Sequence, residues 1–183
     1  MKQNLLLLLI TLAPFLCLSQ TKDTTSVSRF GLSVVTSFNG ELYALQVAPS
    51  LSYSCGKNQF QIGVGVNPFD RVDQTLLSGE LSHKYFPNGT KNKFNLYLIT
   101  RLSLVHNKRN TYYPANYNYL FLYGGYGFQI RLFEGAYMGT NMSLGTFTFN
   151  KNSDNPYEGF TSKALLDKIG VCLSTQFHLS YRF

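Results

Sequence analysis

Ile169-Gly170-Val171-Cys172-Leu173-Ser174-Thr175-Gln176-Phe177-His178-Leu179-Ser180-Tyr181-Arg182-Phe183 alternates without a break. One parity reads Ile169, Val171, Leu173, Thr175, Phe177, Leu179, Tyr181 and Phe183. The other reads Gly170, Cys172, Ser174, Gln176, His178, Ser180 and Arg182. Successive side chains of a strand point to opposite faces. The stretch is therefore one long strand with an apolar and a polar face, and the apolar parity persists to Phe183.

Working back from this strand, the same two-residue period recurs seven times. Strands are expected over about 27–38, 42–54, 59–67, 76–86, 94–106, 119–132, 136–149 and 164–183, with no helix. Asn39-Gly40-Glu41 reads as a tight hairpin, and Phe133-Glu134-Gly135 as a three-residue hairpin with Gly135 left-handed. Gly56-Lys57-Asn58 and 87–93 are further turns; 68–75, 107–118 and 150–163 are longer loops. Short and long connections alternate, apart from a short first outer loop. That alternation suits an up-and-down barrel whose short turns share one end with the termini.

Aromatic residues make up 15% of the 183 and charged residues 14%, against ~25% charged in an ordinary soluble domain. Residues 1–19 form a targeting segment: Lys2 gives the positive end, 5–18 an apolar run, and Cys17-Leu18-Ser19 a small-x-small cleavage site. The run is too short for a membrane-spanning helix. Acylation of Cys17 is the alternative, and the bulky Leu16 before it argues against that. Residues 20–26 read as a flexible leader and 27–183 as the barrel. Without Lys2 the chain carries 15 basic against 9 acidic side chains. Export turns that balance away from nucleic acid and toward anionic lipid or polysaccharide, or toward simple solvation of loops. Cys55 and Cys172 fall on opposite faces at different heights, so no disulfide is expected.

The orientation of the barrel decides its class. A secreted lipocalin-like barrel would turn the apolar parity inward around a ligand. Its exterior would then be the polar parity, which should be rich in Lys and Glu. Instead that parity holds Gly31, Gly63, Gly65, Gly125, Gly127, Gly139 and Gly145 with Ser, Gln and Tyr. Those residues fit a crowded lumen in which Gly leaves room for Tyr97, Tyr123 and Tyr137. The expected fold is all-β: an eight-stranded antiparallel up-and-down transmembrane β-barrel.

The terminal strand, alternating and closing on Phe183, resembles the C-terminal signature of bacterial outer-membrane barrels. Nearly all the mature chain is similar to the small OmpA/OmpX-like family. The Ser-Gln style at the end of the signal segment resembles exports of the Bacteroidetes lineage. The resemblance implies an outer-membrane, Gram-negative location, insertion by the general assembly machinery reading Phe177, Leu179, Tyr181 and Phe183, and a monomer surrounded by lipid and lipopolysaccharide. It implies no cofactor.

Few full charges share the inward parity: Arg29, Glu80, Lys84, Arg101, Arg131 and Arg182, with His178 titratable. Buried charge is costly unless paired, so Glu80 needs a cation. A four-residue turn closing Asn88 on Lys93 would set Glu80 opposite Arg101. The expected network is Glu80, Lys84, Arg101, Arg131, His178 and Arg182, resembling the plug of OmpA-like barrels; the alternative is that these charges face trapped water. Eight strands filled this way leave no open channel.

His178 and Ser180 form a His-x-Ser pair similar to that of lipid A deacylases. Tyr181 replaces the usual Asn, and the pair faces inward where that family's site faces lipid. A lipid A-modifying enzyme or a narrow pore is therefore the alternative to a structural or interaction scaffold. Asp70 with Asp73, and Asp154 with Glu158, lack the carboxylate density of a metal site, and no catalytic, cofactor or metal residue is assigned. Function is expected on the external loops, where Lys108, Arg109, Tyr112, Tyr113 and Tyr117 combine basic and aromatic character suited to a sugar phosphate or a protein. An interfacial aromatic girdle is the alternative reading of those tyrosines.

Overall fold

The computed structural model describes residues 29–69, 74–90, 92–110, 114–153 and 168–183. The segments read as signal and leader lie outside the described residues, as do the four loop carboxylates. Eight strands form one closed antiparallel barrel in chain order: β1 (Arg29–Asn39), β2 (Ala44–Cys55), β3 (Asn58–Val66), β4 (Gln74–Tyr85), β5 (Phe94–Arg109), β6 (Ala115–Phe133), β7 (Ala136–Ser153) and β8 (Ile169–Arg182). β8 closes the seam on β1 from Gly31↔Arg182 to Asn39↔Ser174.

The parity argument holds in space. Along β5, exposed and buried residues alternate over almost the whole strand. Leu51, Ile62, Leu104, Leu122, Leu144 and Val171 point outward and are exposed. Ser50, Gln61, Ser82, Arg101, Gln176 and His178 point inward and are buried. Such inversion costs stability in water and gains it in hydrocarbon, where a closed barrel is the one sheet that satisfies all its backbone groups.

The edge of the apolar band is visible on the tall side. Outward residues of β5 run Phe94, Leu96, Leu98, Thr100, Leu102, Leu104, then change to His106 and Lys108. Phe94 to Leu104 covers about 33 Å of strand at ~3.3 Å per residue, or ~25 Å of membrane after strand tilt. At the boundary His106 Nδ1 meets Asn118 Oδ1 at 2.7 Å, and Asn118 Nδ2 donates to Asn150 Oδ1 at 3.0 Å. This polar rung crosses three strands where the band ends.

Strand lengths differ from the sequence expectation most at that end. β5, β6 and β7 have 16, 19 and 18 residues, while ~9–11 suffice to span a bilayer. Much of the stretch expected as a loop over 107–118 is paired strand, from Lys108↔Asn116 to Arg109↔Ala115. Polar Asn and Lys residues hid this continuation because the ladder there needs no apolar face.

The turns behave mostly as expected. Gly135 holds φ +80 at the β6–β7 hairpin and Gly56 holds φ +58. At the β1–β2 turn the left-handed residue is Tyr43, φ +48, and not Gly40. Leu42 precedes β2 and is buried to 2% exposure at the outer mouth of the lumen.

Candidate functional site

The lumen divides into two halves of different chemistry. Its outer half sets a cluster of apolar side chains beside buried polar ones such as Asn39 and Asn107. Leu42, Ala44, Leu76, Val105, Tyr119, Phe121, Tyr123, Phe147 and Cys172 form one buried cluster. β6 supplies a ladder of rings, because alternate residues on one strand stack at strand spacing. Tyr117–Tyr119, Tyr119–Phe121 and Phe121–Tyr123 lie 5.9, 5.5 and 5.6 Å apart with interplanar angles of 15°, 16° and 7°. Stacked rings favour this separation. The sequence reading turned Tyr119, Phe121 and Tyr123 inward and left Tyr117 in a loop, and it missed that these rings segregate by height into an apolar stopper.

Small residues make the packing possible. A Cβ on Gly145 would stand 2.5 Å from Tyr123 Cδ1, and one on Gly127 2.7 Å from Tyr97 Cζ. One on Gly139 would stand 2.6 Å from His178 Cε1.

Below the stopper a polar chain crosses the lumen. Gln176 Nε2 donates to Glu80 Oε2 at 3.3 Å, and Asn141 Nδ2 donates to Gln176 Oε1 at 3.1 Å. Asn141 Nδ2 also reaches the Tyr97 hydroxyl at 3.4 Å, which donates to the Thr140 carbonyl at 3.3 Å.

The expected Glu80–Arg101 facing pair is not formed. Glu80 faces Ser103, and Arg101 faces Ser82. The register is offset by two, and the inward parity of Ser82 and Lys84 passes on to Phe86. It turns into the lumen, fully buried, 5.3 Å from the Tyr97 ring, and its N–H donates to the Lys57 carbonyl at 2.8 Å. Arg101 lies 4.2 Å over the Tyr123 ring and donates through Nη2 to Ser174 Oγ at 2.7 Å.

The inner half holds Lys84, His178 and Arg182 at 3%, 1% and 4% exposure. Arg182 Nη2 donates to Gln59 Oε1 at 3.0 Å and Gln129 Oε1 at 3.2 Å. Its guanidinium stacks 4.2 Å over Tyr137, and Lys84 Nζ sits 5.1 Å over Tyr97. Arg131, expected in this network, stands exposed at the β6–β7 end beside an irregularity in register. Its N–H donates to the Lys93 carbonyl at 2.8 Å, so it belongs to the inner rim.

The His-x-Ser pair is not arranged for catalysis. Both His178 ring nitrogens lack a hydrogen-bond partner, while the Ser180 hydroxyl approaches the Tyr137 carbonyl at 3.5 Å. Among the described residues no three of His, Cys, Asp and Glu gather to hold a metal. Cys172 is buried in the lumen, Cys55 ends β2, and both are free thiols.

At the outer rim the basic and aromatic residues separate by face. Arg109 lies 4.9 Å over the Tyr117 ring and Lys151 lies 5.6 Å from it. Lys168 sits 5.8 Å over Phe149, whose ring is 6.2 Å from Tyr117. These residues form one platform on the inward-turned face of β6 and β7, above the stopper. Lys108 is exposed on the opposite face of β5, so the expected patch loses it and gains Lys151, Phe149 and Lys168. Tyr112 and Tyr113 lie outside the described residues.

No family model matches the sequence, and no curated protein matches it. Among the solved structures that share its architecture are two outer-membrane proteins. The N-terminal β-barrel domain of Pseudomonas aeruginosa OprF superposes with a TM-score of 0.63 at 8% identity, covering 87% of this chain and 100% of that one. A major outer membrane protein from Thermus thermophilus gives 0.52 at 13% identity, covering 86% and 100%. The fold of this chain is therefore that of the small outer-membrane barrels, with its apolar parity facing lipid.

Proposed function

We propose that this outer-membrane barrel is an interaction scaffold that binds an anionic ligand, of the sugar-phosphate class found in lipopolysaccharide, on its external rim. The observation that carries this is that Arg109 and Lys151 both lie over the Tyr117 ring, on a wall of strands that outgrows the bilayer. Stacked Arg keeps its outer N–H groups free for a phosphate, which it can grip bidentately. Glu41, in the β1–β2 turn, is an acid at the same end among the described residues.

The lumen supports this reading over conduction, since an apolar ring stack fills its outer half. It supports it over lipid chemistry as well. A deacylase needs its histidine and serine in reach of an acyl chain, and His178 is sealed beneath that stack.

The test is binding of the detergent-folded barrel to lipopolysaccharide and to its dephosphorylated form. Arg109→Ala and Lys151→Ala should each weaken binding to the phosphorylated form about tenfold, the worth of one charge-assisted contact of roughly 1.5 kcal/mol. Equal binding by wild type and variants, or no preference for phosphate, would sink the proposal. Altered lipid A mass in expressing cells, abolished by His178→Ala, would replace it with the enzyme.

A further inference from the structure

We propose that the inner half of the lumen binds one small inorganic anion of the halide size class between Lys84, His178 and Arg182. Two strands deliver three nitrogen bases to the same end of the lumen. β4 brings Lys84, and β8 brings His178 and Arg182 on the same inward parity. Phe86 and Tyr97 join them: the Arg182 guanidinium is 5.8 Å from the Phe86 ring, and the His178 ring is 6.0 Å from Tyr97. Lys84 and Arg182 both lie within electrostatic reach of His178.

Among the described residues the surroundings supply donors and no inward carboxylate near Arg182. His178 Nδ1 and Nε2, Arg182 Nε and Gln129 Nε2 are buried without a partner. The amide oxygens of Gln59 and Gln129 are turned to Arg182, which leaves the Gln129 amide N–H groups on the other side. The inward carboxylate among the described strands is Glu80, four residues up β4 or about 13 Å along the strand, and it already accepts from Gln176. An arginine does not shed its proton, and buried charge without a counter-charge is strongly destabilising. A spherical anion accepts hydrogen bonds from any direction, so it suits the Lys84 ammonium, the Arg182 and Gln129 N–H groups and the one N–H that a neutral imidazole carries. The tight packing around Phe86 and Tyr97 favours a halide over phosphate.

The inner rim would feed such a site. Arg29, Lys57, Lys93 and Arg131 are all exposed there, with Glu134 as the opposing acid. A mouth ringed by one sign of charge concentrates counter-ions.

Two measurements test the site in the full barrel folded in detergent. Crystals grown in bromide should show an anomalous peak within hydrogen-bonding distance of Lys84 Nζ and Arg182 Nε. A peak elsewhere only, an adventitious ion only, overturns the proposal, as does none. At constant ionic strength, replacing gluconate by chloride should raise the urea midpoint of wild type saturably, and Lys84→Met should abolish the rise. His178→Gln serves where Lys84→Met does not fold, and should weaken the response several-fold. No chloride response in wild type, or an unchanged one in the folded variant, refutes the site. A phosphate response equal to that of chloride refutes its size class.

Discussion

The guanidinium of Arg101 lies over the Tyr123 ring, its Cζ 4.2 Å from the ring centre. A buried cation is here held by an aromatic face and a serine hydroxyl, with no carboxylate opposite. Cation–π contacts reach ~2 kcal/mol when desolvated. Glu80→Gln is accordingly expected to cost less than about 1 kcal/mol, since Glu80 accepts from an amide that can rotate to suit. Tyr123→Leu should cost roughly 2–3 kcal/mol, combining the lost cation–π and ring-stacking contacts. Urea unfolding in lipid vesicles measures both. A loss of about 3–5 kcal/mol for Glu80→Gln would mean that it does neutralise a buried cation.

Gly139→Ala should destabilise the barrel by at least about 1–3 kcal/mol, the usual cost of overpacking. Its Cβ would run into the Phe128 carbonyl, which cannot move without the sheet. Gly79 faces outward with nothing within 4 Å of an added Cβ, so Gly79→Ala should change the unfolding midpoint little. Equal effects of the two would contradict the inward packing.

Leu98 lies near mid-height of the outward apolar row of β5 and is 56% exposed. Leu98→Arg should cost about 2–4 kcal/mol in a bilayer, as charge at the midplane of a barrel wall does. An aqueous exterior would make the same change nearly neutral, so equilibrium folding into vesicles decides which solvent meets this face.

Purified barrel in a planar bilayer should pass no steady potassium chloride current, because Leu42, Phe121 and Phe147 fill the outer lumen. Sustained ohmic steps from wild type would show that the ring stack opens.

The Phe183 N–H donates to the Phe30 carbonyl at 2.9 Å across the seam, and its ring meets Tyr181 edge-on at 5.4 Å. Phe183→Asp should lower the inserted fraction several-fold, read from heat-modifiable migration and membrane fractionation, and Phe183→Leu should retain most of it. Indifference to Asp would remove this residue from the assembly step.

Side-chain parity was legible from Phe30 to Phe183, because a bilayer demands strict alternation and a one-residue slip would expose every polar group. Register was not. A slip of two preserves parity, so alternation alone does not distinguish Glu80↔Ser103 from Glu80↔Arg101. Height was equally hidden. Phe121 and Gln129 share a parity on β6, yet one belongs to the stopper and the other to the Arg182 shell. The platform was half legible: Arg109 and Tyr117 stood close in sequence, whereas Lys151 and Phe149 reach them through the β6–β7 pairing. Lys108, one residue from Arg109, goes to the other face for the same period-two reason.

Because β5, β6 and β7 continue past the His106–Asn118–Asn150 rung while β1 and β2 end at a four-residue bend, the molecule has a front and a back at the cell surface. Among the described residues the tall strands stand as a parapet behind the platform, opposite the low β1–β2 hairpin. A ligand of the proposed class would therefore meet a lopsided rim, and rotation of the barrel about the membrane normal would change which neighbour the tall side faces.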